Sequence, residues 1–180
     1  MNRTIIGAVG LALVCGQGCG SRQPPAPAPA ALVVEGFNSR ETAGEEPIFD
    51  LSAAEARVVS SVIASSARDQ RSGEVIDIRD VRFILFQNGA QSGRISADSG
   101  FFSPADKSVE LHGRVTYTSV QDSLSLRAGR MSWNPRTSIL RCDQAVEGSF
   151  RQFQFSADQM LLPRDRSVFH LQRATFSGPA

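Results

Sequence analysis

Apolar and polar positions alternate through most of the chain. Val109, Leu111, Val115 and Tyr117 share one parity, and Glu110, Arg114 and Thr116 fall on the other. That period of two belongs to a β-strand with one buried face. Leu124, Leu126 and Ala128 also share a parity, but Met131 and Trp133 fall on the opposite one. A bulge near Gly129 is therefore predicted, returning them to the inner side and bending the sheet. The pattern is least clear over Leu51–Asp69. There Ser52-Ala53-Ala54-Glu55 has the form of a capping box, which would open a short helix through about Ala56. Beyond it a strand is expected, because Val75–Phe86 needs an antiparallel partner.

The chain also repeats itself. Ile95-Ser-Ala97-Asp, with a turn at Pro104 and a return through Ser108-Val109, lines up with Leu126-Arg-Ala128-Gly, Pro135 and Ser138-Ile139. It lines up again with Phe155-Ser-Ala157-Asp, Pro163 and Ser167-Val168. A fainter fourth copy starts at Ile63-Ala64 and ends at Val75-Ile76. Each copy is a strand, a turn of Pro, Asp, Asn, Gly or Ser, and a second strand, which is a β-hairpin with a longer loop. The last strand is predicted over about Val168–Ser177.

The first residues differ in kind. Arg3 precedes the apolar stretch Ile5–Val14, then small residues and two cysteines follow. Ten residues make about 15 Å of helix, half the hydrocarbon thickness of a membrane, so a cleaved export signal is the simpler reading. Gly16-Gln17-Gly18-Cys19 is similar to a bacterial lipoprotein boundary with Cys19 as the acylated first residue. Cys15, plain cleavage and an uncleaved anchor are the competing readings. From Ser21 to about Pro47 the Pro/Ala-rich composition reads as a tether. The expected organisation is a signal over 1–18, a tether over 19–49 and one domain over 50–180. With 41% apolar residues in 180, a single core is within reach. Nineteen basic against eighteen acidic residues leave no electrostatic footprint for nucleic acid.

Candidate chemistry is sparse. The chain has no phosphate-cradling loop, no nucleophile elbow, no His-Glu-x-x-His and no paired-cysteine motif. His112 and His170 with Cys142 have no third group to orient a base, so they read as strand residues, with Cys142 a small core residue. Asp77 alternates with Ile76 and Ile78, so a solvated strand face explains Asp77 and Asp80 better than a metal. No cofactor and no catalysis are expected.

Ile95-Ser-Ala-Asp-Ser-Gly, Val109-Glu-Leu-His-Gly-Arg-Val-Thr-Tyr and Asp122-Ser-Leu-Ser-Leu-Arg-Ala-Gly-Arg-Met-Ser-Trp together resemble the LptC-type periplasmic components of lipopolysaccharide-export machines, in the wider OstA-like group. The resemblance runs over about Val58–Gly178. It implies an all-β, twisted open β-jelly roll of repeated antiparallel hairpins, whose interior holds acyl chains of lipopolysaccharide. The inward candidates for that groove are Phe83, Ile95, Ala97, Phe101, Val109, Leu111, Val115, Tyr117, Leu124, Leu126, Met131, Trp133, Leu140, Phe153, Phe155, Met160 and Phe176. The implied partners are lipopolysaccharide, the inner-membrane permease subunits of an Lpt ABC transporter at the N-terminal edge, and an LptA-like periplasmic bridge protein at the C-terminal edge strand. Such proteins typically keep a spanning N-terminal helix, and this chain departs from them there. The alternatives are a membrane-anchored structural or adhesive β-solenoid with a filled core, and a periplasmic hydrolase, against which the missing motifs argue.

If the mature chain begins at an acylated Cys19, cells fed a palmitate analogue will label the parent protein. The label will be lost in a Cys19→Ala variant that also lacks Cys15. Label retained by that variant would contradict the assignment.

Overall fold

The computed structural model describes residues 32–63, 71–164 and 168–178. Among these residues ten antiparallel strands make up one sheet: β1 (Val33–Ala43), β2 (Glu46–Ile63), β3 (Arg71–Gln87), β4 (Ala90–Phe102), β5 (Val109–Ser119), β6 (Leu124–Asn134), β7 (Ile139–Phe150), β8 (Phe153–Pro163), β9 (His170–Gln172) and β10 (Thr175–Ser177). Each strand pairs with the next in sequence up to β8, and β9 and β10 both pair with β8. The expected all-β jelly roll of repeated hairpins is the fold observed.

A crease crosses every strand at the same level. In β6 the buried residues are Leu124, Leu126 and Ala128 on one side of it, then Met131 and Trp133 on the other. β4 switches parity between Ala97 and Gly100, and β8 between Ala157 and Met160. β2 switches between Ala53 and Ala56, and β3 between Val81 and Ile78. β5 and β7 keep their parity by carrying one extra residue each: Ser96–Ser99 lies opposite His112–Thr116, and Arg127–Arg130 opposite Asp143–Glu147. The bend predicted at Gly129 is thus one station on a line that runs across the whole sheet.

The residues on this line divide by strand. Alternate strands carry left-handed backbone there: Gly36 at φ 68°, Asp80 at 51°, Gly113 at 90°, Gln144 and Ala145 at 66° and 57°, and Arg173 at 50°. The strands between them supply the small side chains Ala53, Ala97, Ala128 and Ala157, all buried. The Ala-Asp of the repeat has a physical role. Asp98 accepts hydrogen bonds from the backbone N–H of Arg114 (3.1 Å) and from its guanidinium (3.2 and 3.1 Å), pinning the bulge. The carboxylate occupies the space a side chain at 113 would need, since a Cβ there would lie 2.7 Å from Asp98 Oδ2. The Arg114 guanidinium first, and then its backbone N–H, hold the Asp98 carboxyl below the usual carboxylate range.

Folding at the crease turns the two halves of the sheet onto each other. Phe37 of β1 and Phe102 of β4 have ring centroids 5.9 Å apart. In a flat sheet two intervening strands would hold them about 14 Å apart. Arg164, just past the end of β8, donates from Nε to Phe86 O at 2.9 Å, although those strand ends lie at opposite margins of the unfolded sheet.

Three expectations change. Ser52–Ala56 is strand, because β2 is laddered on both sides through β1 and β3. β1 and the start of β2 lie in the stretch whose composition reads as tether; the Pro/Ala run before residue 32 falls outside the described residues. The segment in register with Ile95 and Ala97 across β3 is Leu51-Ser-Ala53, while the copy expected from Ile63-Ala64 runs through residues 64–70, which lie outside the described residues. The single strand expected over Val168–Ser177 is broken into β9 and β10 at Arg173 and Ala174, where the crease reaches the edge.

Gly113→Ala should cost about 1–2 kcal/mol for its left-handed backbone and more for displacing Asp98. Gly44→Ala, at φ 65° with open space around its Cβ, should cost the backbone part alone. Urea denaturation measures both, and equal losses would contradict the packing of the crease.

Candidate functional site

The inner faces of both halves are lined by continuous apolar rows. In one half, cross-strand pairing links Leu51, Phe83, Ile95, Tyr117, Leu126, Gly148, Phe155 and Phe176 in that order. Neighbouring strands lie about 4.8 Å apart, so the row extends for about 34 Å. Gly148 keeps it continuous by lacking a side chain, since a Cβ there would strike Phe155 at 2.5 Å and Leu126 at 2.7 Å. In the other half the row runs Gly100, Leu111, Met131, Cys142, Met160, Leu171.

Fourteen of the predicted inward residues belong to this interior. Phe83, Ile95, Ala97, Val109, Leu111, Val115, Tyr117, Leu124, Leu126, Met131, Trp133, Leu140, Phe155 and Met160 are all buried in one cluster. Phe101 is not among them. The crease in β4 shifts the inward parity, so Phe102 is buried while Phe101 lies on the outer face, its ring 5.8 Å from His112. Phe153 and Phe176 lie in phase with the inner face but remain 46% and 61% exposed, at the end of the sheet where β10 is the last strand among the described residues. Phe49, Leu51, Ile78, Cys142 and Leu162 are also part of the buried cluster. Sequence reasoning left out Phe49 and Leu51 because the helical alternative obscured β2.

Polar groups are nearly confined to the outside. The outer face carries Arg40–Asp50, Arg114–Asp98, Arg130–Glu110 and Arg141–Asp143 pairs. His112 Nε2 sits 2.9 Å from Glu110 Oε1 but off the line of a hydrogen bond. Cys142 is fully buried on the inner side, so the strand puts it on the opposite face from the half-exposed His112, and the two form no nucleophilic pair. Burial, and then the charge of Asp143, push the Cys142 thiol up to about 12. The indole N–H of Trp133 is buried and has no hydrogen-bond partner among the described residues. Asp80 is exposed at the crease, and Asp77 is half-buried beside Arg57 and Phe101 in the ladder. Cys15 and Cys19 lie outside the described residues. Among the described residues no helix is long and apolar enough to cross a membrane.

A concavity of about 740 Å³ spans β5–β8 and β10, lined by residues 116–118, 125–127, 147–149, 154–156 and 175–177. Its walls are outward side chains such as Thr116, Ser125, Arg127 and Glu147, so it lies on the outer face, while Tyr117, Leu126 and Phe155 are buried on the other side of the same strands.

A sequence model of the family described as lipopolysaccharide-assembly, LptC-related matches residues 54–175. No curated protein matches the chain.

The raised thiol makes a measurable pH dependence. Between the ordinary value of 9.0 and about 12 the folded chain keeps a proton that the unfolded chain releases. The contribution of Cys142 is therefore intact below pH 9 and declines above it by up to about 1.4 kcal/mol per pH unit. Unfolding free energies from pH 8 to 11 should fall more steeply for the parent than for Cys142→Ala. Parallel curves would contradict the burial of the thiol.

Proposed function

The chain belongs to the LptC-related family of lipopolysaccharide-assembly proteins, with a role in lipopolysaccharide transport, and from that premise we propose that it is a periplasmic lipopolysaccharide carrier. In this reading Cys19, once acylated, anchors it to the inner membrane. The creased sheet receives lipopolysaccharide from an ABC transporter and passes it to a periplasmic bridge protein.

The observation that carries the proposal is the continuous inner row from Leu51 to Phe155, ending in the exposed Phe153 and Phe176. A lipid with several acyl chains needs a continuous apolar path to cross water, because burying each methylene is worth about 0.8 kcal/mol. The row supplies that path, and its open end supplies an exit. The Trp133 N–H, buried and without a partner among the described residues, offers a donor for an ester or hydroxyl oxygen on the cargo. Both edges can extend the path by strand addition. At the N-terminal edge Leu32, Val33 and Val34 are 63%, 48% and 39% exposed, and the transporter's periplasmic face would dock there. At the other edge β9 and β10 would accept the bridge protein.

A second reading has an observation of its own. The inner side chains are closely packed, many of them less than 2% exposed, as a structural module with a filled core requires. The two readings part on whether acyl chains reach this interior.

A photo-crosslinking residue at Leu126 or Phe155 should capture lipopolysaccharide in cells, while one at the outward Arg127 should not. Equal capture at the three positions would refute the inner face as the lipid path, and capture at none would favour the structural module.

A further inference from the structure

The closed interior raises a mechanical question that the carrier reading leaves open. Phe83, Ile95, Met131 and Met160 have essentially no exposed surface, so an acyl chain can reach them only if the two halves move apart. The sheet offers one line along which this disturbs little. At the crease the ladder is already broken between β4 and β5, β5 and β6, β6 and β7, and β7 and β8. Bending there spares the ladders on either side, whereas sliding any strand would sacrifice a whole register.

The margin opposite the crease is a seam where later strands close over earlier ones. Lys107 Nζ approaches Glu41 Oε2 at 3.9 Å, and the Phe150 and Phe169 rings meet at 5.3 Å. Between these lies the most specific fastening. Arg164 Nε donates to Phe86 O at 2.9 Å while its backbone N–H donates to Ser138 O at 2.8 Å. One residue thus ties the ends of β3, β7 and β8 together. It sits in a concavity of about 430 Å³ shared with Gln87, Asn88, Thr137 and Ser138. A charged donor on a carbonyl makes a stronger hydrogen bond than a neutral one, yet the half-buried position leaves it within reach of water or an anionic headgroup.

Resting on the carrier reading, we infer that the two halves part along this seam to admit acyl chains, hinging at the crease, with Arg164 as the fastening. The inner row beyond the hinge suits this motion. Met131, Cys142 and Met160 are adjacent across three strands, and unbranched thioethers re-pack against a new shape more readily than branched side chains do.

A reversible lock tests the inference. Asn88→Cys and Ser138→Cys in the full-length chain, joined by a reducible bifunctional maleimide, would bind the seam shut. A control disulfide between Ser125→Cys and Ser149→Cys, whose parent hydroxyls are 2.8 Å apart on the outer face of one half, would leave the seam free. The seam-locked chain should lose capture of purified lipopolysaccharide and regain it on reduction, while the control lock captures like the parent. Undiminished capture by the seam-locked chain overturns the inference and leaves the carrier reading standing. No capture by parent or control overturns the carrier reading itself, and the inference with it. Arg164→Ala, its fold checked by circular dichroism, should load faster than the parent. An unchanged rate would remove Arg164 from the account.

Discussion

Successive side chains of a straight strand point to opposite faces, so a flat antiparallel sheet of this length would leave one apolar face open to water with nothing to cover it. The crease resolves that problem. By shifting parity in β2, β3, β4, β6 and β8 and by an extra residue in β5 and β7, it lets both halves of these strands direct apolar residues to the same interior and fold over one another. Its physical requirements are strict. Alternate strands must enter the left-handed region, at Gly36, Asp80, Gly113, Gln144 and Arg173, and the strands between must present alanine where the halves come closest. The Asp98–Arg114 contact holds one of these bulges in place, and Arg173 pairs with Asp158 at the corresponding point on the last strand pair.

A sheet folded along one line has consequences for what it can carry. Its interior is a long, narrow, packed apolar layer made by two rows of side chains, while its exterior carries ion pairs. The later strands cover the earlier ones, so the final strands are left uncovered on the inside, and Phe153 and Phe176 are exposed there. The shape therefore has a direction, with a covered middle and an open end. In the carrier reading proposed above, these exposed phenylalanines mark where a lipid would be handed onward.

Much of this was legible in the residues. The alternation in β5, the parity break at Gly129 and the alanine recurring at 97, 128 and 157 carry the strands, the bend and the hairpin repeat in the residues themselves. Phe101 was misassigned for a definite reason. The parity break in β6 is visible because Met131 and Trp133 are both large, whereas in β4 two adjacent phenylalanines, Phe101 and Phe102, mask it. Ser52–Ala56 was ambiguous because the alanines that the crease demands are also good helix formers. The start of the domain was misjudged because β1, with Glu35, Asn38, Arg40 and Glu41, is an edge strand exposed almost throughout and carries little apolar signal. The closure by Arg164 joins residues 78 apart in sequence, and no local pattern reports such a contact.

The central claim is that the folded interior takes up lipopolysaccharide acyl chains. Purification of the full chain from its own membranes in mild detergent, followed by native mass spectrometry, tests it most directly. The account predicts a species heavier than the protein by one lipopolysaccharide, retained through washing and released on unfolding. A chain that emerges free of glycolipid, and stays free after incubation with purified lipopolysaccharide, would contradict it.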